Sequence, residues 1–243
     1  MVDIHCHILP GVDDGAESLE EALEMARIAA ACGVTDIATT SHFRGDGDEP
    51  GALELFARRC RLLEDALKKE RIPLRLHLGA EILCLYETVN LARAGELPTI
   101  SDTDYVLCEF FFDASYEYMD EILDAIAAEG YRPVIAHPER YGAIQRSPRR
   151  IQHWFRRGYV IQMNKGSVLG AFGGRVQDAA LWLLDAGLVH VMASDAHSIR
   201  HRTTDLSRLR SWLQSRYADG YVQLLLEENP ARLLRGEDMA PVG

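Results

Sequence analysis

The chain has 243 residues, 47% of them hydrophobic, and a formal net charge of −11. This composition can supply a full core, and the length fits a single domain over residues 1–243. The acidic balance and the lack of a Lys/Arg-rich block argue against nonspecific nucleic-acid binding. No apolar segment approaches the roughly 20 residues that a bilayer-spanning helix needs, so membrane insertion is not expected.

Seven short apolar runs are predicted to be β-strands, and each reaches a polar residue at or just past its C-terminal end. The runs cover residues 2–7, 35–42, 76–81, 105–109, 133–137, 159–164 and 190–197. Helical patterns separate most of them, beginning with a capping box at Ser18–Glu21 and a stop at Gly33. The tail, residues 221–234, is predicted as a short helix that breaks at Asn229-Pro230 and is followed by another turn.

This β-then-α alternation predicts a parallel sheet, closed as a barrel or open and doubly wound. Neither Gly-x-Gly-x-x-Gly after the first strand nor a Walker motif is present, so a barrel is favoured over a nucleotide-binding open sheet. A barrel collects the C-terminal ends of its strands on one face. The polar residues at those ends should therefore converge.

Two pairs of candidate metal ligands have strand spacing. His5 and His7 close the first strand, and Asp195 and His197 close the last. Residues i and i+2 of a strand point to the same side, so each pair can reach one ion.

Four more candidates end the second to fifth strands: His42, Glu81, Glu109 and His137. The pair Asp13-Asp14 lies in the loop after the first strand, where a role as turn or cap residues is an equal alternative. The other histidines lie before or outside the strand ends and are expected to be structural or on the surface: His77, His153, His190 and His201.

These candidate ligands are all nitrogen or oxygen donors, which favours catalytic Mn, Fe, Zn or Mg over a structural zinc site. Four clustered carboxylates repel one another unless cations neutralise them. With two or three divalent ions the pocket would become neutral or positive and would attract a phosphate dianion.

The five cysteines are an odd number without a Cys-x-x-Cys pair, and no signal peptide is apparent, so reduced thiols and a cytoplasmic location are expected. None has Arg six positions later, as a cysteine-dependent phosphatase loop requires. They are expected to be buried and inert: Cys6, Cys32, Cys60, Cys84 and Cys108.

Several blocks resemble a known family. Five blocks carry the resemblance and occur in the order found in that family. They are the segment from Asp3 to Gly15, residues 133–141 (Pro-Val-Ile-Ala-His-Pro-Glu-Arg-Tyr), residues 166–170 (Gly-Ser-Val-Leu-Gly), residues 193–197 (Ala-Ser-Asp-Ala-His) and Asn229-Pro230. They are similar to bacterial PHP-family (polymerase and histidinol phosphatase) protein-tyrosine phosphatases of the capsule and exopolysaccharide type. The segment 43–50 departs from members that carry a second histidine there.

The resemblance implies a distorted (β/α)7, TIM-like barrel and three metal ions, with manganese the usual expectation. By carry-over the ions would be held by His5, His7, Glu81 and Asp195; by Glu81, Glu109 and His137; and by Asp14, His42 and His197. Arg140 and Arg202 carry over as catalytic phosphate binders, and Arg200 competes for the second role. An Arg fork suits phosphate oxygens.

The predicted function is therefore metal-dependent hydrolysis of phosphotyrosine in proteins. The implied partner is the tail of a bacterial tyrosine autokinase in polysaccharide export, and an oligomer is compatible with the sequence. The alternatives are a PHP phosphatase for a small phosphomonoester such as histidinol phosphate, a non-catalytic partner that only holds a phosphorylated tail, and an amidohydrolase-type barrel. The last usually has a bridging Lys where this chain has Glu109.

Overall fold

The computed structural model describes residues 1–46 and 50–242. In these ranges nine β-strands occupy the seven predicted strand positions. They are β1 (Val2–Cys6), β2 (Asp36–Thr39), β3 (His42–Arg44), β4 (Arg75–Leu78), β5 (Glu81–Leu83), β6 (Tyr105–Glu109), β7 (Arg132–Ala136), β8 (Val160–Asn164) and β9 (Val191–Ala193).

Helices separate most of these strands. They are α1 (Leu19–Ala31), α2 (Ala52–Glu70), α3 (Thr88–Ala94), α4 (Tyr116–Ala128), α5 (Gly142–Arg146), α6 (Ile151–Arg156), α7 (Lys165–Val168), α8 (Gly174–Asp185), α9 (Ser207–Gln214), α10 (Asp219–Gln223) and α11 (Asn229–Leu234). Short 3-10 turns lie at Ile100–Asp102, Pro138–Arg140 and Pro148–Arg150. None of the helices in the described ranges is long and apolar enough to cross a bilayer.

The strands form two sheets in which every pairing is parallel. One sheet has the order β1-β2-β4 and the other has the order β3-β5-β6-β7-β8-β9. The first and last strands also approach each other, because Cys6 and Ala196 form an isolated parallel bridge and His7 N–H donates to the Ala196 carbonyl at 2.9 Å. The protein is thus a mixed α/β fold with parallel sheets, as the alternation predicted.

The second and third predicted strands are each split in two. Thr40 and Ser41 separate β2 from β3, and the Thr40 hydroxyl accepts the Cys6 N–H at 2.9 Å, where a regular ladder would use a carbonyl. As a result His42 and Glu81 begin β3 and β5, and they pair with each other across the second sheet. The prediction that these two residues end strands was wrong.

Alternate strand residues contact two different apolar clusters. The inner cluster contains Ile4, Leu107, Val134 and Ala193, whereas the outer one joins the other strand faces to the helices. Ile4 is in the inner cluster and Cys6, two residues later, is in the outer one. The β1–β2 register shifts between Asp3 and Cys6, and a bulge of this kind re-aims the following side chains.

The C-terminal helix is continuous where a break was predicted. Asn229 has helical φ/ψ, and a π-helical stretch at Leu224–Glu228 joins α10 to α11. Pro230 has no N–H to donate and its ring crowds the preceding turn, and widening that turn accommodates it without ending the helix.

Candidate metal centre

All nine predicted ligands come together at one site. Their donor atoms form four overlapping groups, each within 4.8 Å: His7, Asp14, His42 and His197; His5, His7 and Glu81; His5, His137 and Asp195; and His42, Glu81 and Glu109. His5, His7, His42 and Glu81 each belong to two groups, so the four groups form one connected cluster.

His5, His7 and Glu81 form the buried floor of this cluster. The two histidine Nε2 atoms lie 3.2 Å apart, and each lies 3.2 Å from an oxygen of Glu81. All three side chains are almost completely buried. Burial lowers the pKa of His7, but its hydrogen bonds with Asp13 and Glu81 outweigh this and raise that pKa to about 10.

The other ring nitrogen of each of these histidines is tied to a polar group. His5 Nδ1 donates to Gln162 Oε1 at 2.9 Å, and His7 Nδ1 donates to Asp13 Oδ2 at 2.8 Å. Asp13 also accepts the backbone N–H groups of Gly15 and His42. Such partners fix the ring orientation and leave Nε2 free to bind a metal.

Glu109 and His137 lie beside Glu81. His137 Nε2 is 2.9 Å from Glu81 Oε1 and 3.6 Å from Glu109 Oε1. Burial, followed by the nearby Glu81 charge, raises the pKa of Glu109 to about 8. A divalent cation would relieve this repulsion between carboxylates.

Asp14, His42 and His197 form the outer rim. Asp14 Oδ1 lies 3.5 Å from His42 Nε2 and 3.4 Å from His197 Nε2. Asp14 is 65% exposed and His42 is 40% exposed, whereas the floor is closed to solvent. The cluster is therefore open to ligands on the Asp14 side.

The donor set fits divalent cations. Three buried atoms of the described cluster have no hydrogen-bond partner: His137 Nδ1, Asp195 Oδ1 and His197 Nε2. Leaving such atoms unpaired costs about 1–3 kcal/mol each. Imidazole nitrogens and carboxylate oxygens without a thiolate suit Mn, Fe, Zn or Mg.

Three predicted site residues have left-handed backbone: His137 (φ 35°), Asp195 (φ 49°) and Arg202 (φ 50°). The spacing argument for Asp195 and His197 assumed a strand, but β9 ends at Ala193 and the turn at Asp195 aims the two side chains. Non-glycine residues in this region cost about 1–3 kcal/mol and concentrate at functional sites.

Arg140 and Arg202 both reach the Asp195 carboxylate. Arg140 lies 3.5 Å from Asp195 Oδ2, and the Arg202 guanidinium contacts the same oxygen and donates to the Asp195 carbonyl. Arg200 instead lines a separate groove with glutamates of α1, including Glu20 and Glu24. Of the two competing arginines, Arg202 is therefore the one beside the cluster.

A layer of polar residues under the cluster was not predicted as part of the site. Gln162 donates to Asn164 at 2.9 Å, and Asn164 donates to Asp195. Glu139 accepts the Asn164 N–H and the Ser167 hydroxyl, and burial raises the pKa of Glu139 to about 7. The sequence did contain an indication of this layer, because Gln162 and Asn164 are two amides at i and i+2 in an otherwise apolar strand.

Within the described residues, the other histidines and the cysteines belong to none of these four groups. His77 contacts Asp36 and Ser101, and His190 is buried against Phe155. All five thiols are unpaired and four are buried, while Cys32 is only partly so. Burial raises the pKa of Cys60 to about 11, which disfavours a thiolate.

Fold and site together define an α/β protein with a cluster of candidate metal ligands flanked by arginines. Residues 1–235 match the family model for capsular polysaccharide synthesis proteins of the CpsB/CapC type. The chain belongs to this family. Residues 47–49, within the segment where members differ by a histidine, lie outside the described residues.

Named relatives agree with this assignment. Tyrosine-protein phosphatase YwqE of Bacillus subtilis is 36% identical, over 98% of this chain and 92% of its own length. Tyrosine-protein phosphatase CpsB of Streptococcus pneumoniae is 31% identical, over 96% and 98%. A solved structure from work on YwqE and CpsB, described as unique metal-dependent tyrosine phosphatases, has a TM-score of 0.88 at 34% identity and covers 100% of this chain and 98% of its own.

Proposed function

We propose that this protein is a metal-dependent phosphatase that hydrolyses phosphotyrosine in proteins. The observation that carries the proposal is the cluster of nine nitrogen and oxygen ligands with Arg140 and Arg202 at its edge. The relatives named as tyrosine-protein phosphatases support the same reaction. Histidinol phosphate as substrate is not favoured, because no relative named here is a small-molecule phosphatase.

The nine residues would hold three divalent ions, with manganese first and Fe, Zn or Mg as alternatives. The division follows the resemblance: His5, His7, Glu81 and Asp195; Glu81, Glu109 and His137; and Asp14, His42 and His197. The close contacts of Glu81 with His5, His7 and His137 support a bridging role for this carboxylate. We further propose one domain whose seven strand positions close as a distorted (β/α)7 barrel of the PHP type, which the Cys6–Ala196 bridge supports.

The chain's own residues would bind and orient the phosphoryl group. Arg140 and Arg202 present N–H groups at the rim, where they can donate to phosphoryl oxygens. Divalent cations, when bound, polarise phosphoryl oxygens and lower the pKa of water. A phenol with a pKa of about 10 leaves readily, so a strong general acid is not required.

The substrate would be the phosphorylated tail of a bacterial tyrosine autokinase in polysaccharide export. The family description, capsular polysaccharide synthesis, supports this pathway. Unpaired cysteines support a cytoplasmic location, where thiols stay reduced.

Chelation and alkylation distinguish this mechanism from a cysteine-dependent one. Phosphate release from a phosphotyrosine peptide should be lost after EDTA treatment, return with manganese, and survive iodoacetamide. Glu81→Gln should remove activity, whereas the exposed His153→Gln should not. Loss of activity on alkylation but not on chelation would refute the mechanism.

Substrate comparison tests the reaction class. Turnover of the peptide should exceed that of histidinol phosphate. A metal-loaded protein that binds the peptide without releasing phosphate would instead be a non-catalytic partner.

A further inference from the structure

Arg140 lies between two phenylalanine rings. Its guanidinium carbon is 4.4 Å from the centre of the Phe112 ring and 4.5 Å from the centre of the Phe172 ring. Both distances are within the range of cation–π contacts. The Arg140 Nη1 atom is 3.5 Å from Asp195 Oδ2.

The backbone around each ring holds it in place. The Phe112 carbonyl accepts the Gly142 N–H at 2.8 Å, which ties it to the turn after Arg140. Phe172 packs over Gly166, where a Cβ atom would lie only 2.8 Å from the ring. The glycine of the Gly-Ser-Val-Leu-Gly block therefore makes room for Phe172.

Phe112 lies beside the cluster at His137, and its own side is partly open to solvent. Its ring centre is 6.1 Å from that of His137, and the residue is 46% exposed. A phosphoryl group held by Arg140 and the donor cluster would place its leaving group near this ring. An aromatic leaving group can stack there, whereas a short alkyl group gains little.

We propose that Phe112 and Phe172 position Arg140, and that Phe112 also contacts the phenyl ring of phosphotyrosine. Phe112 then makes the site prefer aryl over alkyl phosphomonoesters. Phe172 orients the arginine without distinguishing between them. This inference rests on the proposed function and assigns its substrate selectivity to named residues.

Stable phosphate analogues separate the two roles without turnover. We would titrate manganese-loaded protein with inorganic phosphate, methylphosphonate and phenylphosphonate by calorimetry. Wild type should bind phenylphosphonate about fivefold more tightly than methylphosphonate. Phe172→Leu should weaken all three ligands by about threefold and keep this ratio, because only the cation–π contact is lost.

Phe112→Leu should weaken the binding of inorganic phosphate by a similar factor. It should also bring the ratio of phenylphosphonate to methylphosphonate affinity close to one. Phe112→Tyr retains a ring and should behave as wild type. Phe111→Leu is the matched control, because Phe111 is 54% exposed and is in none of the ring contacts within residues 1–46 and 50–242. Circular dichroism would verify that each variant is folded.

The outcomes separate this inference from the proposed function. Three outcomes would overturn the inference. Phe112→Leu could keep the wild-type ratio of phenylphosphonate to methylphosphonate affinity, both leucine variants could keep the wild-type affinity for phosphate, or the wild type could bind none of the three ligands. If wild type fails to release phosphate from a phosphotyrosine peptide but the binding pattern holds, only the proposed function fails.

Discussion

Asp13 contacts two ligands of the cluster, although it is not one of the predicted ligands. It holds His7 Nδ1 at 2.8 Å and the His42 N–H at 2.9 Å. Asp13→Ala should lower metal affinity by about 10- to 100-fold, the usual effect of removing such a partner. Metal titration would measure this, with the exposed Asp65→Ala as control. Equal affinities would show that Asp13 does not orient His7.

Arg202 and Arg200 offer a matched comparison. Arg202 contacts Asp195 at the cluster, whereas Arg200 faces the glutamates of α1. Arg202→Ala should lower kcat/KM for a phosphotyrosine peptide by about 30- to 100-fold, since a charged hydrogen bond contributes about 2–3 kcal/mol. Arg200→Ala should stay within about twofold of wild type. A large loss of activity in Arg200→Ala and none in Arg202→Ala would instead assign phosphate binding to Arg200.

His190 makes stability depend on pH. Burial lowers its pKa from 6.5 to about 4, and its Nδ1 accepts the Ile161 N–H. The unfolded chain binds a proton below pH 6.5 and the folded chain does not, so stability present above pH 6.5 falls progressively toward pH 4. The total loss is about 3 kcal/mol.

The variant His190→Gln keeps an acceptor but cannot titrate. Urea unfolding at about pH 7.5 and about pH 4.5 should give a smaller pH dependence for this variant than for wild type. The metal-binding residues titrate in both proteins, so their effect cancels when the two pH dependences of stability are subtracted. Parallel pH profiles would contradict the assignment of this pH dependence to His190.

The predicted ligands are residues of metal-binding types next to short apolar runs, and both features can be recognised in the local sequence. Gln162 and Phe112 were missed as parts of the site because their roles depend on atoms in other segments. Gln162, for example, contacts His5 from a strand 157 positions later. Amides and phenylalanines also occur in ordinary cores, so their type alone was not informative.

Among the elements, the loop between β1 and α1 leaves no room for a side chain at Gly15. A Cβ atom on Gly15 would lie 2.0 Å from the His7 carbonyl oxygen and 2.6 Å from His7 Cβ. Gly15→Ala should therefore displace the end of β1 and cost about 2–4 kcal/mol of stability, with weaker metal binding.

Gly220→Ala is the control for this substitution. Gly220 is in α10, and a Cβ atom there would meet no other part of the described chain within 4 Å. Alanine should be neutral at this position or stabilise by about 0.5–1 kcal/mol, as expected in a helix. Thermal unfolding of both variants would test the pair, and equal stabilities would contradict the close approach at His7.

The alternation of runs was enough to predict seven parallel strand positions but not the interruptions within them. The split between β2 and β3 depends on the Thr40 hydroxyl accepting a Cys6 N–H, and the bulge in β1 depends on its register with β2. Both are pairings between distant segments. Hydrophobic period reports which residues are apolar, and it does not report which neighbour each backbone group meets.

For the whole molecule, the cluster links distant parts of the chain, from His5 to His197. Ions that bind only the folded form should stabilise it by about 2.7 kcal/mol per site at a hundredfold excess over Kd. Melting temperature should rise with added manganese and fall with EDTA. Glu81→Gln should reduce this difference, and a melting temperature indifferent to both additions would mean that the cluster does not bind ions.

The contact of His5 and His7 with Asp195 also sets the order of events during synthesis. A ribosome-bound chain that has released only its first half has the initial histidine pair but not the carboxylate that completes it. Of the candidate groups, the one formed by His5, His137 and Asp195 is therefore complete only when almost the entire polypeptide has emerged. A truncated product lacking the last strand would compete poorly for scarce cellular metal.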